Sequence, residues 1–534
     1  MRNAELSLVV QTFILAAASR YSPTEVGFFA LSYGGTALAN LKDLPHVGAI
    51  GGLDRTELNL RILGDLDSVV GRRRRMFREL DVGSIDEYRR RRAGGDSRLD
   101  DGYPTDIFVI VDGWENFSED NTSLLSPKNP AIKNIERLIG AGHGIHVMIT
   151  AADWIKLGLT IQNQINVKYE LKLANPGSSQ VRARLEDKMV RPQDRIPADE
   201  PGRGINATGD VIRFGVGRVD GKPTMDDLDV KVRETVAALA DRYGDTRPVP
   251  RPRLLPNLVP FDKLPQKLGG EKHVLGLRSR DLRPMVVDFA EDPLLAVYGD
   301  DRHGKTTFIT NLARSVVANR ADADEALVVL LDKSRHLSSF VTRHLAEEDP
   351  TDLSKPCDYY ETDFASMARR LGVLAHMLSS RTPPPDLSWK QKETWTFEGP
   401  LIYLIVDDVD AIPASVTVHA PVTAGGPPMA GVGQMVDMWR PMLGHIANAR
   451  DIGLRIIMTH RAAGAGVAEL TPSLLPGQFK AQNATRIMLS AKTTEDKISG
   501  VKFEQGLPPG RGYVISANEN NGGYVQLAGP VDEM

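Results

Sequence analysis

The stretch GDDRHGKTT, from Gly299 to Thr307, has the spacing G-x-x-x-x-G-K-T. Glycines let backbone N–H groups approach a phosphate closely, and a helix beginning after the loop adds a favourable dipole. Lys305 would reach the β- and γ-phosphates of a nucleotide, and the Thr306 hydroxyl would ligate Mg²⁺. The apolar run before the loop and the helical pattern after it favour this interpretation over a chance glycine-rich turn. The predicted nucleotide-binding residues are Gly299, Asp300, Asp301, Arg302, His303, Gly304, Lys305, Thr306 and Thr307.

The apolar run LIYLIVDD, Leu401 to Asp408, supplies two carboxylates downstream of the loop. Asp407, at the tip of a buried strand, would hold Mg²⁺, and Asp408 would polarise the attacking water. The alternative is that the pair only caps a turn. Many proteins with such a site have glutamate as the second acid. Because aspartate is one methylene shorter, we expect hydrolysis to be slow or activation-dependent.

Thr459 ends a second apolar run, RIIMT, and would contact the γ-phosphate or the water. Threonine is also common in strands for packing reasons alone, so a structural role is an equal alternative. The predicted catalytic residues are Lys305, Asp407, Asp408 and Thr459, the predicted metal ligands are Thr306 and Asp407, and the predicted cofactors are ATP and Mg²⁺.

The elements that would position these residues occur twice. IFVIVDGWENF matches IYLIVDDVDAI, GHGIHVMITAADW matches DIGLRIIMTHRAAG, and PGRG begins at Pro201 and again at Pro509. The distance from Thr150 to Pro201 is 51 residues and that from Thr459 to Pro509 is 50. Ordered matches at equal spacing indicate an internal repeat. Continuous apolar runs that alternate with helical stretches predict two α/β domains with mainly parallel sheets.

A proline-rich stretch divides the two halves. Six prolines lie between Arg247 and Leu268, and proline disfavours helix in the residue before it. We therefore predict a first domain at 1–245, a semi-rigid linker at 246–271 and a second domain at 272–534. The glycine- and proline-rich stretch 419–431 predicts a long loop in the second domain.

The first half lacks part of this chemistry. Aligning FFALSY with VVLLDK gives an offset of 300 residues, which places Glu5 and Leu6 where Lys305 and Thr306 stand. Asp112 keeps the magnesium position, but Gly113 replaces the second acid. We predict a degenerate first domain without catalysis. Its phosphate loop is either lost or lies upstream of residue 1.

The composition limits the cellular compartment in which the chain is expected. The 534 residues carry a net charge of -4, and a single cysteine, Cys357, excludes an intrachain disulfide and fits a reducing compartment. The apolar run from Leu6 to Ala18 is shorter than the roughly 20 residues of a membrane span. We predict a cytoplasmic chain that associates with a membrane only through partners.

The whole chain resembles the FtsK/SpoIIIE-type ATPases of type VII (ESX) secretion systems, the EccC/EccCb family. The resemblance implies two tandem RecA-like P-loop NTPase domains, and members of this type keep a phosphate loop in the preceding domain as well. The motifs that carry it are LSYGGTALANLKDLPHVGAIGG, VGSIDEYRRRR, IVDGW, RIPADEPGRGIN, GDDRHGKTT, IVDD and PPGRGYVIS.

The resemblance further implies a motor that couples ATP to protein export. Its implied partners are WXG100-type secreted proteins with a C-terminal signal, a membrane-anchored EccC-type subunit, and further copies in an oligomer such as a hexameric ring. Two alternatives stay open. One is an FtsK-like DNA translocase that uses the arginine runs 72–75 and 89–92, although a solvated or acid-paired helix face is favoured and nucleic acid is not an expected partner. The other is a non-hydrolysing substrate-docking adaptor.

Overall fold

The computed structural model describes residues 2–53, 55–121, 130–181, 191–197, 200–222, 224–345, 358–383, 386–393, 395–418, 433–492, 496–516 and 522–531. The chain forms two compact units, Met1–Leu254 and Leu255–Met534, here called the first and second unit. The division falls inside the proline-rich stretch. The stretch 419–431, predicted to be a long loop, lies outside the described residues.

The first unit contains two separate sheets. Four parallel strands follow the order β2-β1-β3-β4, and three antiparallel strands follow the order β5-β6-β7. The strands are β1 Val26–Ser32, β2 Val47–Gly52, β3 Asp106–Asp112, β4 Ile145–Thr150, β5 Tyr169–Leu171, β6 Arg203–Asn206 and β7 Val211–Arg213. The helices are α1 Arg2–Arg20, α2 Thr56–Glu79, α3 Ile85–Ala93, α4 Trp114–Asp120, α5 Pro130–Ile139, α6 Gly158–Gln164 and α7 Leu228–Arg242.

The second unit is built on one ten-stranded sheet of order β12-β11-β13-β16-β10-β17-β20-β21-β8-β9, whose first six strands are parallel. Two further pairs, β14-β15 and β18-β19, lie outside this sheet. The strands of the second unit are β8 Lys272–Arg278, β9 Pro284–Asp288, β10 Leu294–Tyr298, β11 Ala326–Asp332, β12 Tyr359–Glu361, β13 Leu401–Asp407, β14 Ser415–Val418, β15 Gln434–Asp437, β16 Leu454–His460, β17 Thr485–Leu489, β18 Lys497–Ile498, β19 Val501–Lys502, β20 Arg511–Ile515 and β21 Gly523–Leu527. Its helices are α8 Lys305–Asn319, α9 Ser338–His344, α10 Phe364–Ser379, α11 Trp389–Glu393, α12 Arg440–Ile446, α13 Ala465–Glu469 and α14 Leu475–Ala481.

The central strands are apolar throughout because both faces of the sheet are covered. In β13, Leu404 packs into the core on the α10 and α12 face, and its neighbour Ile405 packs into the core on the α8 face. Successive side chains of a strand point to opposite faces, so a strand covered on both sides needs apolar residues at every position. The prediction of α/β domains with mainly parallel sheets is confirmed.

The repeated segments occupy equivalent places. In the first unit β3 pairs in parallel with β4, with Asp112 opposite Thr150. In the second unit β13 pairs in parallel with β16. Two strands begin in the PGRG segments: β6 pairs antiparallel with β5, and β20 pairs antiparallel with β17. The internal repeat found in the sequence is therefore a repeat of structure.

The proline-rich stretch packs against both units rather than standing free. Val249 is buried, and its N–H donates to the Pro45 carbonyl of the first unit. Phe261 and Leu264 pack with Val274 in a small core of the second unit. Backbone hydrogen bonds and buried side chains thus fix this segment on either side of the division.

Four of the eight arginines in the runs 72–75 and 89–92 form ion pairs within the protein, whereas Arg72, Arg74, Arg75 and Arg90 are exposed. Arg73 is fully buried and binds Asp101 at 2.8 Å, and Arg89 binds Asp106 at 2.7 Å. Arg91 binds Asp96 at 2.9 Å. The paired and the exposed arginines together fit the solvated or acid-paired helix face that the sequence favoured. Among the described residues no helix combines the length and apolarity needed to cross a bilayer.

Candidate functional site

The loop 299–304 connects β10 to α8 at the carboxyl edge of the parallel sheet. Arg302 and Gly304 have left-handed backbone conformations, with φ of 66° and 103°. A side chain at Gly304 would place its Cβ 3.1 Å from the backbone nitrogen of Gly510, so only glycine fits comfortably. A turn with left-handed residues ahead of a helix N-terminus forms an anion-binding concavity.

Lys305 is buried at the base of this loop, with 5% of its surface exposed. Its Nζ donates to the Gly299 carbonyl at 2.9 Å. The same nitrogen lies 3.5 Å from Asp408 Oδ1 and 3.6 Å from Asp301 Oδ1. The cation is therefore held between the loop and the acidic end of β13, where a phosphate chain would replace these contacts.

Asp407 lies at the centre of the site. The Thr459 hydroxyl donates to its Oδ1 at 2.7 Å, and the Thr306 hydroxyl lies 3.4 Å from its Oδ2. The Asp408 N–H donates to the Thr459 hydroxyl at 2.7 Å. Thr459 is thus engaged on both sides and orients Asp407 here. Its predicted contact with a γ-phosphate or water stays a prediction.

Electrostatics at Asp407 favour a bound cation. Burial raises the pKa of Asp407, and the neighbouring Asp408 and Asp332 carboxylates raise it further, while the Thr459 hydrogen bond lowers it. A divalent ion would relieve this repulsion. Oxygen ligands from a hydroxyl and a carboxylate are those that Mg²⁺ prefers.

Asp408 adopts a left-handed conformation with φ of 46°, which is uncommon outside glycine. Its Oδ1 is buried and accepts no hydrogen bond from the described residues. Strained residues of this kind cluster at functional sites. At the equivalent position of the first unit, Gly113 has φ of 85° without that steric cost.

The remaining loop residues lie together in one turn. Asp300 accepts a hydrogen bond from the Lys492 N–H at 2.7 Å, so its side chain supports the loop. The Nδ1 atom of His303 is buried and has no hydrogen-bond partner among the described residues. Arg302 is exposed to solvent, and Thr307 lies in the first turn of α8.

Two residues that the sequence analysis did not single out also face Asp407. His336 Nδ1 lies 3.3 Å from Asp407 Oδ2, and ligand atoms of Asp332, His336 and Asp407 lie within 4.8 Å of one another. Asp332 is fully buried. The available signal was that Asp332 ends the apolar run ALVVLLD, just as Asp407 ends LIYLIVD.

The PGRG segment supports the loop from the opposite side. Gly510 has φ of 76°, and its N–H donates to the His303 carbonyl at 2.8 Å. In the first unit Gly202 has φ of 77°, and its N–H donates to the Glu5 side chain at 2.5 Å. The repeated tetrapeptide therefore contacts the start of α8 in one unit and the start of α1 in the other. The repetition was visible in the sequence, but this supporting role was not.

The first unit keeps the aspartate and threonine but surrounds them differently. The Ser7 hydroxyl donates to Asp112 Oδ2 at 2.6 Å, and the Thr150 hydroxyl donates to Asp112 Oδ1 at 2.8 Å. The Gly113 N–H donates to Thr150 at 2.8 Å, as Asp408 does to Thr459. Burial raises the pKa of Asp112, and these hydroxyls oppose the rise.

The structure corrects the predicted register at the start of the chain. The offset of 300 residues aligned Leu6 with Thr306, but Ser7 is the residue that contacts the aspartate. Leu6 therefore stands at the lysine position. The offset misplaced it because the segment from this residue to the next strand is one residue shorter in the first unit than in the second, where β11 begins at Ala326.

The residues present fit a nucleotide with Mg²⁺ in the second unit. The left-handed turn, the buried lysine and the Asp408 carboxylate beside it would together provide partners for phosphate, metal and water. Thr306 and Asp407 would hold the metal ion, with His336 beside them. In the first unit, Leu6 and Gly113 stand where the second unit has Lys305 and Asp408.

The chain is similar to known proteins over nearly its whole length. Residues 7–209 match the FtsK/SpoIIIE family. The chain is 33% identical over 531 residues to the ESX-3 secretion system protein EccC3 of Mycobacterium tuberculosis, covering 98% of this chain and 36% of that protein. It is 27% identical to EccCb1 of the same organism, covering 96% of this chain and 80% of that protein. The chain thus spans about a third of the length of the EccC3 relative.

A solved structure of Thermomonospora curvata EccC, comprising ATPases 2 and 3 with a signal sequence peptide, shares the fold. The TM-score is 0.78 at 26% identity, covering 99% of this chain and 86% of that one. The repeated RecA-like units described above therefore have counterparts in that protein. The chain contains an FtsK/SpoIIIE domain and is homologous, over nearly its whole length, to the EccC/EccCb ATPases of ESX secretion systems.

Proposed function

We propose that the chain is an ATP-driven motor component of a type VII secretion system, with one Mg²⁺–ATP site per chain in the second unit. The observation that supports this most directly is the convergence of Lys305, Thr306, Asp407 and Asp408 at one edge of the sheet. The proposed domains are residues 1–245 and 272–534, joined by a linker at 246–271.

The residues of this chain have separable tasks in that site. Lys305 exchanges the Gly299 carbonyl for the terminal phosphates and neutralises the charge that develops there. Thr306 and Asp407 hold Mg²⁺, and Thr459 keeps the Asp407 carboxylate aimed at it. Asp408 orients the attacking water. Because its side chain is short, hydrolysis is slow or needs activation by a partner.

The first unit is proposed to bind no nucleotide productively by itself and to act as a regulator. Leu6 offers the phosphates no charge, and Gly113 offers the water no base. The buried contacts of Ser7 and Thr150 with Asp112 remain as a structural unit.

The proposed cargo is a WXG100-type protein with a helical C-terminal signal. The solved T. curvata relative carries a signal sequence peptide. We expect an amphipathic helix of this kind to lay its apolar residues into a groove of the second unit, away from Lys305, with micromolar affinity. A membrane-anchored EccC-type subunit and further copies in a ring, a hexamer being one form, would complete the assembly at the cytoplasmic face of the membrane.

One experiment separates the candidate functions. The purified chain is incubated in parallel with a cognate WXG100 protein, with the same protein lacking its last turn of signal helix, and with duplex DNA at two salt concentrations. Retention of the intact cargo alone supports the export motor. Salt-dependent retention of DNA supports a translocase instead. Cargo retention by a chain that shows no ATP turnover, even with its assembly partners, supports the adaptor.

A further inference from the structure

Asp332 and Asp407 lie side by side at the carboxyl edge of the sheet in the second unit. They end the neighbouring parallel strands β11 and β13, and the strand register sets them opposite each other. Both side chains are buried. Two buried carboxylates repel each other unless a cation or a proton lies between them. A shared cation would therefore stabilise this pair.

One oxygen of Asp332 is available to such a cation. Its Oδ2 accepts the Leu337 N–H at 2.8 Å and the Tyr360 hydroxyl at 3.0 Å. Its Oδ1 is buried and accepts no hydrogen bond from the described residues. Buried polar atoms nearly always have a partner, so this oxygen points to a ligand from outside the protein.

His336 adds a nitrogen to the two carboxylates. It lies in the turn between β11 and α9, directly after Arg335, whose backbone is left-handed with φ of 58°. Its Nδ1 is 3.3 Å from Asp407 Oδ2, and one ligand atom from each of Asp332, His336 and Asp407 lies within 4.8 Å of the other two. Bonds of about 2.1 Å to one ion therefore need only a small inward movement of these side chains. The His336 side chain is 50% exposed, which gives an ion a path from solvent.

The mixture of one imidazole and two carboxylates selects the class of ion. Mg²⁺ takes oxygen ligands and gives up its waters reluctantly, whereas imidazole suits transition metals. A nitrogen ligand beside two carboxylates therefore favours a divalent transition-metal ion over Mg²⁺.

The first unit lacks this arrangement at the equivalent place. Ser32 pairs with Asp112 there, as Asp332 pairs with Asp407 in the second unit. The Ser32 hydroxyl donates to the Gly35 carbonyl at 3.1 Å. A carboxylate is thus replaced by a hydroxyl that is engaged with its own turn, and the first unit serves as an internal control.

We propose that Asp332, His336 and Asp407 form a binding site for one divalent transition-metal ion, which the chain holds without nucleotide. The Thr306 hydroxyl and His336 face the same oxygen of Asp407, so the ion occupies the place proposed for Mg²⁺ rather than a place beside it. Binding of the ion needs neither ATP nor hydrolysis. The further consequence, that ATP is bound together with a transition-metal ion, rests on the proposed function.

Binding of Mn²⁺ to the untagged full chain without nucleotide tests the proposal. Binding removes the electron paramagnetic resonance signal of aqueous Mn²⁺, and we expect one saturable site that prefers Mn²⁺ to Mg²⁺ at least about tenfold in competition. Electron spin-echo measurements should show coupling to an imidazole nitrogen, which oxygen ligands alone would not give. Absence of saturable binding, or of the nitrogen coupling, would overturn the proposal.

His336→Ala is the decisive variant, because a half-exposed side chain can be removed without opening the core. It should weaken Mn²⁺ binding at least about tenfold and abolish both the nitrogen coupling and the preference over Mg²⁺. His376→Ala, at an exposed histidine of α10, is the matched control and should change none of these. Unchanged Mn²⁺ affinity in His336→Ala would contradict the proposal.

Two further measurements keep the outcomes apart. Asp112→Asn should leave Mn²⁺ affinity unchanged, and a loss there as large as that in His336→Ala would refute the assignment to the second unit. ATP affinity is measured separately on the parent chain. Mn²⁺ binding in a chain that binds no ATP would uphold this site and overturn the proposed function alone.

Discussion

Both units contain the same aspartate–threonine pair, but different residues surround the pair in each unit. In both, a threonine on the neighbouring strand donates to the aspartate and accepts the N–H of the residue that follows it. In the second unit a threonine of α8 and a buried lysine complete the set, whereas in the first Ser7 and Leu6 take those places. The hydrogen bonds that orient the aspartate are therefore separable from the lysine and the second acid beside it.

The largest effect on ATP affinity is expected from substituting Lys305, and none from substituting Leu6 at the equivalent position of the first unit. Lys305→Ala should weaken ATP binding at least about 100-fold, about 2.7 kcal/mol, because Lys305 is the cation buried at the base of the loop. Leu6→Ala, at the equivalent position of the first unit, should leave the affinity unchanged. Titration with a fluorescent ATP analogue measures both. Equal losses in the two variants would show that nucleotide binding is shared between the units.

Asp407→Asn and Asp112→Asn form the second pair. The first should lower Mg²⁺-dependent ATP turnover about 100-fold or more, since a neutral amide holds the metal ion poorly. The second should change turnover by less than about twofold. Turnover is measured by phosphate release in the full chain, together with whatever partner is needed for activity. A large loss on Asp112→Asn would assign the first unit a direct catalytic part.

The PGRG supports give a third, smaller contrast. Gly510→Ala should weaken ATP binding about tenfold, because the new Cβ would lie 2.8 Å from Gln526 Nε2 and the backbone has φ of 76°. At Gly202 the one described atom within 4 Å of the added Cβ would be the Phe214 carbonyl oxygen, at 3.4 Å. Gly202→Ala should therefore cost about 1 kcal/mol of stability from its left-handed backbone and leave ATP affinity intact. Unchanged affinity in Gly510→Ala would remove the supporting role.

The smallest effect concerns pH and the buried carboxylate of the first unit. The folded-state pKa of Asp112 is raised above its unfolded value, so the carboxyl group stabilises the fold below about pH 3.9 and loses that contribution as pH rises through the folded pKa. Without divalent ions, Asp112→Asn should therefore raise the melting temperature of the first unit by about 2–4 °C at pH 7.5.

This gain should shrink as the pH is lowered towards 4. Melting followed through hydrogen exchange of β3 assigns the transition to the first unit. A loss of stability at pH 7.5 would mean that the hydrogen bonds from Ser7 and Thr150 outweigh the burial of charge.

The repeat could be recognised from the sequence because apolar strands, glycine turns and an aspartate at a strand end are local patterns. It located Asp407 and Thr459 at strand ends, and the structure brings them together. It did not reveal Asp332 or His336, whose approach to Asp407 depends on which strands are neighbours. It placed Leu6 where Ser7 lies, because a constant offset ignores a one-residue change in loop length. A local sequence pattern shows neither which strands are neighbours in the sheet nor where one loop is a residue shorter than its counterpart.

Arg511, which directly follows Gly510, links the loop to another part of the second unit. Arg511 is buried, and its guanidinium donates to the carbonyls of Leu255 and Pro256 at 3.0 Å, at the first residues of the second unit. Gly510, directly before it, holds the His303 carbonyl of the loop. Two adjacent residues thus contact the phosphate-binding loop and the first residues of the second unit. A shift of the loop on binding nucleotide would therefore reach residues 255 and 256 through a single peptide bond.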